Sequence, residues 1–148
     1  EKIVRQLFVL EADDSEKTIY VYIDSPGGDV DAGFAIFDAI RFISCPVVLI
    51  GMGLIASAAA LILLAVPAER RLGLPNSRYL IHQPLSGMKG VATDIEIHAK
   101  ELIISEQTGK SVEQVAKDTE RDYWLDANQA VTYGLISKII TTRKDLSK

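Results

Sequence analysis

The chain contains a single cysteine, Cys45. That excludes an internal disulfide framework and favours a reducing compartment. It has no excess of basic residues: 16 Lys and Arg stand against 20 Asp and Glu, a net charge of −4. Nothing in that balance points to nucleic acid. No apolar run is long enough to cross a bilayer as a helix. The longest, Leu54 to Val66, is broken at Ser57 and is too short. The first residues show no secretory signal pattern, so the expectation is a cytoplasmic protein with no membrane segment. Internal repeats, low-complexity tracts and linkers are also missing. The 148 residues fit one domain with a real core. Histidine is scarce, with only His82 and His98, so any imidazole chemistry has two candidates.

What is present is organised around residues 46 to 66. Pro46 to Ile50 read as a buried strand, Gly51 to Gly53 as a turn, and Leu54 onward as an Ala/Leu-rich helix. Ser57 is the one polar residue of this run. A strand, a glycine turn and a helix put its hydroxyl near a helix N-terminus, where free N–H groups favour negative charge. Such a place suits a nucleophile whose substrate develops an oxyanion. The plain alternative is a small residue that lets the helix pack on the sheet.

The remaining segments frame this unit. Apolar residues at Ile3, Val4, Leu7 and Leu10 predict a helix over 1–12 with no N-cap signal ahead of it. Thr18 to Ile23 is a strand by its β-branched and aromatic content. Asp24-Ser-Pro-Gly-Gly-Asp-Val30 follows. Gly27 and Gly28 allow positive φ and close backbone approach to a ligand, although Pro-Gly-Gly is also an ordinary turn. Ala32 to Ile43 reads as a helix, and the alternation of helix and strand argues for an α/β fold with parallel strands. Pro67 to Arg71 and Gly73 to Ser77 are turns. Tyr79 to Ile81 is a short strand ending at His82. Thr93 and Glu96 form a capping box, opening a helix with a stripe of Ile95, Ala99, Leu102 and Ile103 that ends at Gly109. His98 lies in this charged helix and reads as solvated. Ser111 opens another helix to Thr119. Tyr123 to Leu125 is a short apolar segment. A helix capped by Asp126 and ended by Gly134 leads to a final strand over 135–140.

A serine at a helix start, a histidine at a strand end and several later aspartates have the ingredients of nucleophilic catalysis. The serine needs a base, and the base needs an orienting carboxylate. The order Ser, His, Asp differs from those of the α/β-hydrolases, chymotrypsin and subtilisin, and Ser57 lacks a Gly-x-Ser-x-Gly elbow. Spacing alone does not choose among Asp94, Asp118, Asp122 and Asp126, and it leaves a binding protein open.

The motifs decide by resemblance. Tyr-Ile-Asp-Ser-Pro-Gly-Gly at 22–28, Gly-Leu-Ile-Ala-Ser-Ala-Ala-Ala at 53–60 and Leu-Pro-Asn-Ser-Arg-Tyr-Leu-Ile-His-Gln-Pro-Leu at 74–85 resemble the caseinolytic Clp protease (ClpP) family. So do Ala-Thr-Asp-Ile-Glu-Ile-His-Ala-Lys at 92–100, Asp-Thr-Glu-Arg-Asp at 118–122 and Tyr-Gly-Leu-Ile at 133–136, in the family's order over nearly the whole chain. The resemblance implies a ClpP/crotonase-like α/β fold over 1–148, built of repeated strand–helix units with a protruding handle helix. It implies a serine endopeptidase with Ser57 as nucleophile, His82 as general base and Asp122 as the triad carboxylate. The N–H groups of Gly28 and Ala58 would form the oxyanion hole. Asp29 and Val30 on one side, and Pro84, Leu85 and Ser86 on the other, would bind the substrate backbone as an added strand. The subunit itself would need no cofactor and no metal, with ATP and Mg used by an AAA+ Clp ATPase unfoldase. Two stacked heptameric rings, homo- or hetero-oligomeric, would receive unfolded polypeptides from it.

Four departures from the family pattern stand out. Ile55 and Ala58 replace the commoner Ala and Met beside the nucleophile, and Asp24 replaces Asn. The family's N-terminal segment is not in the sequence. The handle is short by roughly three turns, ~16 Å at 1.5 Å per residue, which predicts a chain break between Leu102 and Gly109 and a triad out of hydrogen-bond reach. Ile55 and Ala58 also motivate an alternative, an inactive or conditionally active paralogue that needs a partner ring. A crotonase-fold acyl-CoA enzyme is the other alternative, and it would not need Ser57, His82 and Asp122 together.

Overall fold

In the computed structural model, which describes residues 1–82 and 91–147 with the backbone alone at 91–93, one strand carries most of the sheet. Strand β1 is Ile19–Ser25 and β2 is Val47–Ala56. They pair in parallel from Ile19 opposite Val47 to Ile23 opposite Gly51. Beyond that the register slips, so that Ser25 lies opposite Ile55. The extra β2 residues bulge at Gly53, whose φ of +62° needs glycine. The Asp24 carboxylate accepts the Leu54 N–H at 3.0 Å and fills the break in the ladder. An acceptor oxygen is all this bond asks for, so Asp and Asn can serve alike at position 24.

Strands β3 (Arg71–Gly73) and β4 (Arg78–Ile81) follow one another along the opposite edge of β2. Leu49 to Gly51 pair with β3 and Leu54 to Ala56 with β4, both in parallel. Strand β5 (Tyr123–Asp126) pairs antiparallel with β4, and β6 (Lys138–Ile139) pairs in parallel with β3. Alternate β2 residues serve two faces. Val47 and Leu49 enter the main core, while Val48 and Ile50 pack with Leu72, Leu74, Ile140 and Leu146.

The helices are α1 (Lys2–Asp13), α2 (Val30–Phe42), α3 (Ala58–Leu63), α4 (Val91–Thr108), α5 (Val112–Thr119) and α6 (Ala127–Tyr133). Caps fix several of them. Asp29 and Ser111 accept N–H bonds from Ala32 and Gln114, and Asp126 makes a full capping box with Gln129. Gly134 closes α6 in the left-handed conformation.

Several expectations are corrected. Gly51 to Gly53 do not end the strand. Because partners line both edges of β2 on either side of the bulge, the strand runs through to Ala56 and the helix starts only at Ala58. Arg71–Gly73 is a strand where a turn was expected, held between β2 and β6. The last strand keeps only Lys138 and Ile139. Helix α4 already includes Val91, so Thr93 lies within it rather than at its N-cap. The helix is also continuous to Thr108 and is closed by the Gly109 N–H on Ser105 O, with no break after Leu102. Its packed face differs from the expected stripe as well. Ile104 is buried, whereas Ile95 and Leu102 are exposed.

Arg71 is fully buried and ties together the C-terminal ends of three helices. Its Nη1 donates to Val66 O and to the Gln107 side chain, and its Nη2 donates to Gln107 O and Gly134 O. These carbonyls lie just past α3, at the end of α4 and at the end of α6. A cation is favourable at helix C-termini. Burial lowers the guanidinium pKa and the Glu69 carboxylate opposes that shift, but arginine stays charged. Arg71→Met keeps the aliphatic stem and strips these carbonyls of their donor. It should lower the unfolding free energy by about 3 kcal/mol, read by chemical denaturation.

Candidate active site

The sheet register brings the site together. Ala56 lies opposite Leu80, and the Ser57 N–H donates to Leu80 O at 3.0 Å, so the serine sits at the mouth of β4. On the other side of β4, Ile81 lies opposite Tyr123. In an antiparallel pair the residues just beyond are His82 and Asp122. His82 Nδ1 is 3.3 Å from Asp122 Oδ1. The imidazole is largely buried and the carboxylate half-exposed. Nδ1 is enclosed, and among the described residues it has no partner within hydrogen-bond geometry, so the two groups are in reach of each other but not aligned.

Ser57 has φ 55° and ψ −121°, the one positive φ outside glycine among the described residues. A non-glycine residue held there carries strain that the surrounding structure imposes. Here the constraint is the sharp exit from β2 into α3. Gly27 packs directly beneath: a Cβ on it would lie 2.8 Å from Ala56 O and from Ser57 Cβ. No side-chain bond caps α3, so the Ser57 hydroxyl is not committed to its own helix. The first intrahelical bonds run from Ala60 and Leu61 to Ser57 O, which places the Ala58 N–H ahead of them. Gly28, at φ +155°, has open space where a Cβ would stand. Gly28 and Ala58 line one cavity of about 270 Å³ with Asp29 and Ile62.

Ser57 and His82 line a second, smaller cavity of about 30 Å³, room for one water-sized sphere. Among the described residues no hydrogen bond joins the two. Leu61, Leu64, Ile97 and Ile104 make this cavity apolar, and Lys100, Glu101 and Thr119 complete it. Burial pushes the Lys100 ammonium pKa down, and Glu96 pulls the other way. Sequence reasoning missed these α4 residues. Ile97, Glu101 and Ile104 have the i, i+4, i+7 spacing of a packed face, but Glu101 interrupts its apolar character, and the stripe of Ile95, Ala99 and Leu102 on the other side of the helix has no such interruption.

The four candidate aspartates separate by their partners. Asp118 accepts from Tyr133 and Gln114. Asp126 caps α6, and Asp94 is exposed in the first turn of α4. Asp122 alone of the four has a histidine beside it. Asp29 has an extended backbone (φ −60°, ψ 130°) and its carboxylate caps α2, while Val30 is the first residue of that helix. The helix starts there because Asp29 is a good N-cap. Pro84, Leu85 and Ser86 lie outside the described residues. Among the described residues no three His, Cys, Asp or Glu side chains gather as a metal site, and no helix is long and apolar enough to cross a membrane.

A parallel-stranded α/β fold with a serine in a strained turn, a histidine in the same cavity and a carboxylate behind it has the layout of a serine hydrolase. The family model described as Clp protease matches residues 1–143. The chain is 64% identical over 155 residues to the ATP-dependent Clp protease proteolytic subunit 2 of Treponema denticola, covering 99% of this chain and 78% of that one. The like-named protein of Treponema pallidum is 64% identical over 157 residues, covering 100% and 79%. A solved point mutant of ClpP1 from Listeria monocytogenes superposes with a TM-score of 0.94 at 40% identity, covering 98% of this chain and 85% of that one. The chain belongs to the Clp protease family, and it is a proteolytic subunit of the ATP-dependent Clp protease, a serine peptidase that needs no cofactor of its own. That membership sets aside the crotonase alternative. The 157 positions aligned with the T. pallidum protein exceed the 148 residues here, so that relative carries internal residues this chain lacks.

The partner assignments make a prediction. Asp122→Asn should cut kcat on a small peptide by about 10⁴. Asp126→Asn, which preserves a good N-cap, should leave kcat within about twofold. Side-by-side kinetics of the two variants check it.

Proposed function

We propose that Ser57, His82 and Asp122 act as the catalytic triad of an endopeptidase. The observation that carries this reading is the 3.3 Å approach of His82 Nδ1 to Asp122 Oδ1 just beyond the ends of two paired strands, with Ser57 in the same cavity as the imidazole. His82 takes the proton of the Ser57 hydroxyl as Oγ attacks the scissile carbonyl, and later returns it to the leaving amine. Asp122 holds the ring tautomer that makes this possible. The N–H groups of Gly28 and Ala58 receive the oxyanion. Water then releases the acyl group by the same path in reverse. The extended backbone around Gly28 and the segment with Pro84, Leu85 and Ser86 bind the substrate main chain as an added strand, which gives weak side-chain preference.

The reading extends to the assembly. The subunit works within two stacked seven-membered rings in the cytoplasm. An AAA+ Clp ATPase uses ATP and Mg to feed unfolded polypeptides to it. Exposed Ile95 and Leu102 on α4 are an apolar surface suited to contact with the opposite ring. A second reading, activity conditional on a partner ring, is favoured by the unaligned His82–Asp122 pair and by the lack of a Ser57–His82 hydrogen bond among the described residues.

Ser57→Ala should abolish peptide hydrolysis, a loss on the order of 10⁶ in kcat, while ring assembly persists. A fluorophosphonate should label the wild type and not the variant. Residual activity within tenfold of wild type would overturn the triad. Labelling only after a second proteolytic subunit is added would identify the conditional form.

A further inference from the structure

Asp122 has little of its own to hold it. It lies in the short connection between the end of α5 at Thr119 and the start of β5 at Tyr123, with its carboxylate half-exposed. Both sides of this connection touch one residue of α6. Before it, the Tyr133 hydroxyl donates to Asp118 Oδ2 at 2.9 Å. After it, the Tyr133 ring packs on the Tyr123 ring at a centroid distance of 5.7 Å. Tyr133 itself is buried at 6% exposure. Asp118 is held from its own helix too, since Gln114 Nε2 donates to its other oxygen at 2.7 Å. Burial first, and then the bond to Asp118, raise the Tyr133 hydroxyl far above its usual pKa, so it stays a donor at any working pH.

We propose that Tyr133 and Asp118 are positioning residues for peptide hydrolysis, which clamp the two ends of the Asp122 connection and so hold the carboxylate toward His82. The proposal rests on the triad reading above. The physical argument is geometric. Tyr123 fixes the strand register through Ile81, and that register places position 122 opposite position 82. Asp118 fixes where α5 ends. With both ends set, the turn of Thr119 to Asp122 has few ways to close. With one end released, the half-exposed carboxylate is free to swing to water. Misplacement of a catalytic group by about 1 Å can cost roughly a hundredfold in rate.

The test uses the assembled protease and a small fluorogenic peptide. Tyr133→Phe keeps the ring and its contact with Tyr123 but removes the hydroxyl. It should lower kcat roughly ten- to hundredfold with KM within about twofold and the rings intact by sedimentation. Asp118→Ala should match it, while Asp118→Asn, which still offers an oxygen to the hydroxyl, should retain most of the activity. The decisive measurement is a double-mutant comparison. If Tyr133 acts through Asp122, Tyr133→Phe costs nothing further in an Asp122→Asn background, read as the rate of fluorophosphonate labelling of Ser57. Wild-type kcat in Tyr133→Phe would overturn the proposal. So would a loss that multiplies in the Asp122→Asn background, which marks a general structural effect. If Asp122→Asn alone leaves kcat at the wild-type level, the triad reading itself fails and the clamp falls with it.

Discussion

The structure depends on strand β2 being hydrogen bonded along both edges while changing partners halfway. Its first half pairs with β3 and its second half with β4, and β1 runs along the far edge throughout. That exchange needs a local break in the ladder, supplied by the bulge at Gly53 and stitched by the Asp24 carboxylate. A rigid strand delivered to its end in this way leaves no slack at Ser57. The turn into α3 must then be made by one residue in a strained conformation, and that residue carries the hydroxyl.

Much of this was legible in the residues, because local chemistry wrote it. The run from Pro46 to Val66 reads as strand then helix whichever residue ends the strand, and Ser57 is its one polar side chain. The α6 cap at Asp126 and its closure at Gly134 were visible as short-range hydrogen-bond patterns. What was not legible was long-range. Glycine at 51 and 53 looks like a turn, and β2 runs on to Ala56 only because partners line both of its edges. Arg71–Gly73 is too short for alternation to show, and it is a strand only because β2 and β6 flank it.

The choice among Asp94, Asp118, Asp122 and Asp126 shows the same limit more sharply. All four follow His82 in sequence, and no spacing rule separates them. The antiparallel register of β4 and β5 separates them at once, since it makes Asp122 the neighbour of the imidazole, while Asp126 caps α6, Asp118 accepts from Tyr133 and Asp94 is exposed. The handle helix failed differently. The more continuous apolar stripe on α4 runs through Ile95 and Leu102, yet these are exposed while Ile104, on the side interrupted by Glu101, turns inward.

The backbone at Ser57 has a consequence for the energetics of the whole subunit. Glycine would adopt a positive φ there without the steric conflict of a side chain. The chain therefore forgoes roughly 1 kcal/mol or more of folding free energy at the position where it keeps its hydroxyl. Glycine at this turn would relax the backbone and remove the hydroxyl in the same step, so stability and side-chain chemistry are set against each other at one residue.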